Sequence, residues 1–142
     1  MFEWISIFDS LTSEELNNLS MFCQERFLKE WEILFKEWDD AVAMYILKSG
    51  KLKAYKDRSD WEILLWFVEW PGDMVWEMAV FEAIDNNSNI PKKRIASVKA
   101  VQNSFLIVIM NYSILELSKK NSWIYWKIVK IIEERKQKNA NN

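Results

Sequence analysis

The chain contains no histidine. That omission removes the usual base of a nucleophilic triad, the commonest metal ligand and the side chain most often used as a general acid near neutral pH. The single cysteine, Cys23, stands between Phe22 and Gln24 with no second thiol at disulfide or metal spacing, so it reads as a buried free thiol rather than a nucleophile. Adjacent carboxylates occur at Asp39-Asp40 and Glu14-Glu15. The first pair reads as turn residues and the second as a helix start, where acidic side chains complement unpaired N–H groups, not as acid–base pairs. What remains is the basic run Lys92-Lys93-Arg94 and the carboxylate Glu77, each readable on its own as solvated surface. The inventory points away from an enzyme, with no cofactor or metal, and toward recognition.

A chain of 142 residues, half of them hydrophobic and 28% charged, suits one domain with one core. A net charge of -2 and a pI near 5.3 give no overall attraction for nucleic acid or an anionic membrane. Apolar runs such as Ile63 to Val68 and Phe105 to Met110 fall far short of the roughly 20 residues that span a bilayer. The N-terminus has no basic segment followed by an apolar stretch and a cleavage site. The expectation is a soluble, cytoplasmic protein with neither nucleic acid nor membrane as partner.

The elements that must position any site follow from periodicity. Thr12 to Glu15 match the capping-box pattern, and Leu11, Leu16 and Leu19 follow near helical spacing, predicting a helix over about 13–22. From Arg26 onward the period shortens, with strand-like runs at Ile33-Leu34-Phe35, Ala43 to Lys48 and Lys51 to Tyr55. Ser49-Gly50 reads as a two-residue hairpin between Met44–Leu47 and Leu52–Tyr55, and Trp70-Pro71-Gly72-Asp73 as a type II turn. Further strands are expected at 62–69, 94–102 and 104–110. Ile84 to Lys93, with three asparagines and Pro91, reads as a solvated loop. After Asn111 the helical period returns through Ile114, Leu115 and Leu117, then Ile124, Ile128, Ile131 and Ile132, predicting two C-terminal helices. Gln137 to Asn142 should fray. The sum is an α+β chain whose strands, about eight of them, form a small antiparallel jelly-roll barrel with a short N-terminal helix and two C-terminal helices. Cupins share this pattern but normally hold a metal with histidines.

The segments Ile7-Phe8, Leu11, Glu15-Leu16, Trp31-Glu32, Trp38-Asp39, Met44-Tyr45-Ile46, Ser49-Gly50, Trp76-Glu77-Met78-Ala79 and Arg94-Ile95-Ala96-Ser97-Val98 together resemble the cyclic-nucleotide-binding domain family, of the type found in the cyclic-AMP receptor protein and the protein kinase A regulatory subunit. The resemblance runs over about residues 5–120, leaving a C-terminal helix at 121–138 and a tail at 139–142. It implies that the last two segments bracket a phosphate-binding cassette for cAMP or cGMP. In that frame Arg94 pairs with the cyclic phosphate and Glu77 accepts from the ribose 2′-hydroxyl. Trp76 stands in the cassette, the backbone around Met78 and Ala79 supplies amides to the phosphate, and Ala96 leaves room beside it. A guanidinium fork and helix-start amides suit an anion, and a carboxylate suits a hydroxyl donor. Two departures stand out. Glu77 and Arg94 lie seventeen positions apart, longer than usual in the family, and Ile95 occupies a place where some members carry a hydroxyl. The implied role is a sensor that passes its state through the C-terminal helices to a protein partner or a second copy. The alternative is an interaction module that keeps the barrel without the nucleotide.

Nine tryptophans accompany only two glycines, whereas ordinary glycine usage near 7% gives about ten. The two counts together restore that figure. Trp31, Trp38, Trp61, Trp70 and Trp76 sit beside turn-type residues or in the cassette, at places where positive φ or close backbone approach favours glycine. Trp4, Trp66, Trp123 and Trp126 are less diagnostic. The expectation is that these are UGA codons which the source organism reads as glycine. As written, the Trp76 indole should crowd the cassette and weaken nucleotide binding.

Overall fold

In the computed structural model, which describes residues 11–75, 93–123, 126, 127, 129, 130 and 133, Thr12 caps the first helix, α1 (Ser13–Ser20). Its Oγ1 accepts the Glu15 N–H at 3.1 Å while Glu15 Oε1 accepts the Thr12 N–H at 2.9 Å, the reciprocal box that the sequence predicts. Leu19 buries the apolar side of α1 completely. The helix stops two residues short of the expected end because Met21 caps it and Phe22 turns back onto the Leu19 carbonyl. Cys23 follows at once, half-buried, with Sγ 3.3 Å from that carbonyl. Burial pushes its thiol up to about 12, so it stays protonated and inert at neutral pH.

Six strands form one antiparallel sheet: β1 (Cys23–Leu28), β2 (Ile33–Phe35), β3 (Ala43–Arg58), β4 (Trp61–Val68), β5 (Met74–Val75) and β6 (Ser97–Met110). The order is β1-β6-β3-β4, with β2 added to β6 and β5 to β3. Among the described strands the sheet does not close on itself. Its spine is the pairing of the two long strands, which runs from Ala43 opposite Met110 to Tyr55 opposite Ser97.

That spine corrects the predicted hairpin. Ser49-Gly50 does not reverse the chain; β3 continues through it, and the register instead slips between Leu47 and Leu52. Gly50 supplies the bend, at φ +102°, pressed against Asn103 and Ser104 so closely that a Cβ would lie 2.3 Å from Ser104 Oγ and 2.6 Å from the Asn103 carbonyl oxygen. This is a bulge. The two strands expected at 94–102 and 104–110 are likewise one, β6, bent at the same place. The true β3–β4 hairpin turns at Ser59-Asp60, between paired Arg58 and Trp61.

The core follows from the apolar run Ala43 to Leu47, buried on both faces, and from the inward residues Leu52, Ala54, Val98, Ala100 and Leu106, joined by Leu28 and Val68. At the far end of β6, the Asn111 N–H donates to the Val42 carbonyl and its side-chain amide to the Ala41 carbonyl, fixing where strand gives way to α2 (Asn111–Lys120). Lys119 and Lys120 in its last turn complement the helix C-terminus. Residues 122, 123, 126, 127, 129, 130 and 133 are helical; Val129 is buried, and Lys127 reaches Glu15 of α1 at 3.0 Å. The expected stripe at Ile124, Ile128, Ile131 and Ile132 and the loop from Ile84 to Lys92 lie outside the described residues.

Candidate functional site

The residues leading into β6 are held by a turn at Lys36 to Asp39. The Asp39 N–H donates to the Lys36 carbonyl at 3.0 Å, and Asp39 Oδ2 accepts the Lys36 N–H at 2.9 Å. The outer side of that turn grips Arg94 by both backbone groups. Its N–H donates to the Asp39 carbonyl at 2.7 Å, and its own carbonyl accepts the Trp38 N–H at 2.9 Å. One residue earlier, Lys93 bridges to Asp40 and pairs with its carboxylate.

With its backbone clamped, Arg94 sends its side chain into the apolar layer, where it is only 4% exposed. One Nη2 hydrogen goes to the Ala43 carbonyl at 2.8 Å. The guanidinium lies over the Phe35 ring at 3.9 Å and 5.6 Å from the Tyr45 ring centre, contacts that stabilise a cation by its attraction to the ring faces. Burial pushes its pKa down to about 10, partly offset by Tyr45 and Asp39, so the group stays cationic at neutral pH. A cation kept in an apolar layer is costly, and the same low dielectric strengthens its pull on any anion that reaches it.

Of the residues singled out from sequence, the structure brings Arg94 and buried Ala96 into this layer and leaves Ile95 between them turned to solvent, 73% exposed. Ser97 is buried as well, its Oγ accepting the Glu37 N–H at 2.9 Å. Trp76, Glu77, Met78 and Ala79 lie outside the described residues. The chain departs for them from β5, whose Val75 pairs with Tyr45, the strand residue beside the Arg94 guanidinium. Phe35, Tyr45 and the Ala43 carbonyl are partners that sequence reading passed over. They carried only the signal of core strand residues, and nothing in an apolar run says which ring a distant arginine will cover.

The architecture is thus an antiparallel sheet flanked by helices, with a cation sunk into its apolar layer where the last long strand starts. The chain belongs to the cyclic nucleotide-binding domain family, whose profile matches residues 25–121. Solved structures agree in fold. The N-terminal domain of a transcriptional regulator from Streptomyces coelicolor A3(2) superposes with a TM-score of 0.74 at 20% identity over 95% of this chain and 89% of that one. The Thermus thermophilus catabolite activator protein gives 0.73 at 21% identity over 94% of this chain and 59% of its own. The regulatory domain of Toxoplasma gondii PKA, solved with cAMP, gives 0.58 at 28% identity over 75% of this chain and 38% of its own. No curated protein matches the chain.

Proposed function

We propose that this chain is a regulatory sensor domain that binds a cyclic nucleotide, cAMP or cGMP, in the sheet layer around Arg94. The observation that carries the reading is the buried guanidinium itself. It is framed by Phe35 and Tyr45 and kept cationic in apolar surroundings, an arrangement that core packing alone gives no reason to keep. Family membership supports it, as does similarity to a regulatory domain crystallised with cAMP.

In this reading Arg94 pairs with the cyclic phosphate and Ala96 leaves room beside it. Glu77, next to Trp76 in the cassette, accepts from the ribose hydroxyl, and the backbone around Met78 and Ala79 donates to the phosphate oxygens. Ile95, facing solvent, adds no hydrogen bond. Residues 5–120 form the binding unit, a jelly-roll barrel of which the described strands are part, and residues 121–138 carry the output to a protein partner or a second copy. Ligand shifts that helix only through tighter binding to one of its arrangements.

One observation favours the alternative, an interaction module without ligand: the Ala43 carbonyl and two rings already engage Arg94. Thermal melts of the protein with glycine at the nine tryptophan positions, with cAMP, cGMP and 5′-AMP in turn, decide between them. Ligand at one hundred times its dissociation constant should stabilise the fold by about 2.7 kcal/mol, several degrees in a domain this size. A shift with a cyclic nucleotide and none with 5′-AMP is the expected result. A cooperative melt unmoved by millimolar cAMP or cGMP selects the interaction module.

A further inference from the structure

Three four-residue turns in this fold share one hydrogen-bond pattern. In Lys29 to Glu32, Lys36 to Asp39 and Trp70 to Asp73, the fourth residue's N–H donates to the first residue's carbonyl, at 2.9, 3.0 and 2.9 Å. Its carboxylate accepts the first residue's N–H, at 3.1, 2.9 and 3.1 Å. Each turn then docks by a reciprocal pair. The third residue's N–H donates to a carbonyl, of Ala100, Arg94 or Leu47, and the fourth residue's carbonyl accepts the N–H of that same partner.

The pattern demands a left-handed third residue, as type II turns do. In the last turn it is Gly72, at φ +92°; in the other two it is Trp31, at φ +70°, and Trp38, at φ +75°. These two are the only non-glycine residues with positive φ among the described residues. A bulky side chain in that region is an outlier, because its Cβ crowds the neighbouring carbonyl. Both rings face solvent: Trp31 is 59% and Trp38 73% exposed, and Lys99 lies 5.7 Å from the Trp31 ring.

Trp61 and Trp70, expected from the sequence at glycine positions, do not have positive φ, and neither do Trp66, Trp123 and Trp126. All seven tryptophans that are described are exposed, although tryptophan is on average among the well-buried residues. Trp66 stands where the β3–β4 register slips, a bulge of the kind that glycine often marks.

We infer that the protein natively carries glycine at positions 31 and 38, the codons there being UGA read as glycine. The molecule supplies its own reference in Gly72, since one turn built three times should ask for one residue three times. This stands apart from whether the domain binds a nucleotide.

Mass spectrometry of peptides from the protein isolated from its own cells reads the residues directly. Glycine at 31 and 38 is the expected result, and tryptophan at either overturns the inference. Thermal melts of the chain as written supply an independent arm without ligand. Trp31→Gly and Trp38→Gly should each raise the midpoint by about 3 to 6 °C, and Gly72→Trp should lower it by at least as much. A midpoint unchanged or lowered in the two glycine variants counts against it, because the left-handed turns would then hold tryptophan without strain.

Discussion

Arg94→Met separates a cation kept for a ligand from a cation kept for the fold, and the magnitudes can be worked from its surroundings. Burial holds the guanidinium near pKa 10, well below the ordinary arginine value, which corresponds to a cost of about 3 kcal/mol for keeping the charge in the folded state. Methionine removes that cost while filling much of the same volume with an adaptable apolar chain. It also leaves the Ala43 carbonyl without its donor, worth about 2 kcal/mol, and replaces the cation over Phe35 and Tyr45, worth about 1 kcal/mol. Gain and loss nearly cancel, so the urea-unfolding free energy of Arg94→Met should lie within about 1 kcal/mol of the parent. The pH dependence carries the sign. A base whose folded pKa is lowered binds its proton less well when folded. The penalty is therefore complete below about pH 10 and fades as pH rises above it, so the parent should gain stability relative to Arg94→Met in that range. In the same variant the stabilisation by cyclic nucleotide should vanish. A loss above about 3 kcal/mol without ligand refutes the reasoning, since Arg94 would then be a strut of the core rather than a receptor held in it.

Two further outcomes follow from the same physics. Gly50→Ala should destabilise by at least about 2 kcal/mol in chemical denaturation, because φ +102° and the approach of Ser104 and Asn103 leave a methyl neither conformation nor room. The Glu15 carboxyl is held below its ordinary value of 4.5 by the Thr12 backbone N–H first and Lys127 second. The stability it lends is present above that value and lost as pH falls through the lower folded one, so Glu15→Gln should flatten the acid limb of a stability–pH curve from pH 5 to pH 2. An unchanged limb would show that the link between α1 and Lys127 carries no stability.

Local chemistry made parts of this fold legible in the sequence. The Thr12–Glu15 box and the Trp70 to Asp73 turn are contiguous patterns whose hydrogen bonds close within four residues, and both are present as predicted. Ser49-Gly50 misled because glycine at positive φ serves a hairpin and a bulge equally. What decided for the bulge was the adjacent long strand β6, which pairs with β3 on both sides of the register slip, a long-range fact with no mark in the dipeptide. The site divides in the same way. Arg94 was found through its frame of neighbouring residues, whereas Phe35, Tyr45 and the Ala43 carbonyl come from strands fifty or so positions away and look like any other core.

The turn at Lys36 to Asp39 joins the two questions of fold and site. The Arg94 backbone is held at both its N–H and its carbonyl by one turn. Both bonds depend on the left-handed conformation of residue 38, which turns its N–H toward the Arg94 carbonyl while the Asp39 carbonyl faces the Arg94 N–H. Strain at residue 38 is thus applied where the guanidinium is aimed, and a misplacement of about 1 Å at a positioning element is enough to weaken a site strongly. Trp38→Gly should therefore do more than raise the melting midpoint: in a protein that binds cyclic nucleotide it should tighten binding, whereas Trp31→Gly, acting through Ala100 farther along β6, should raise the midpoint with little change in affinity. Titration calorimetry on the two variants makes the comparison. Equal affinities would show that the Arg94 side chain finds its place through Ala43, Phe35 and Tyr45 without help from the turn.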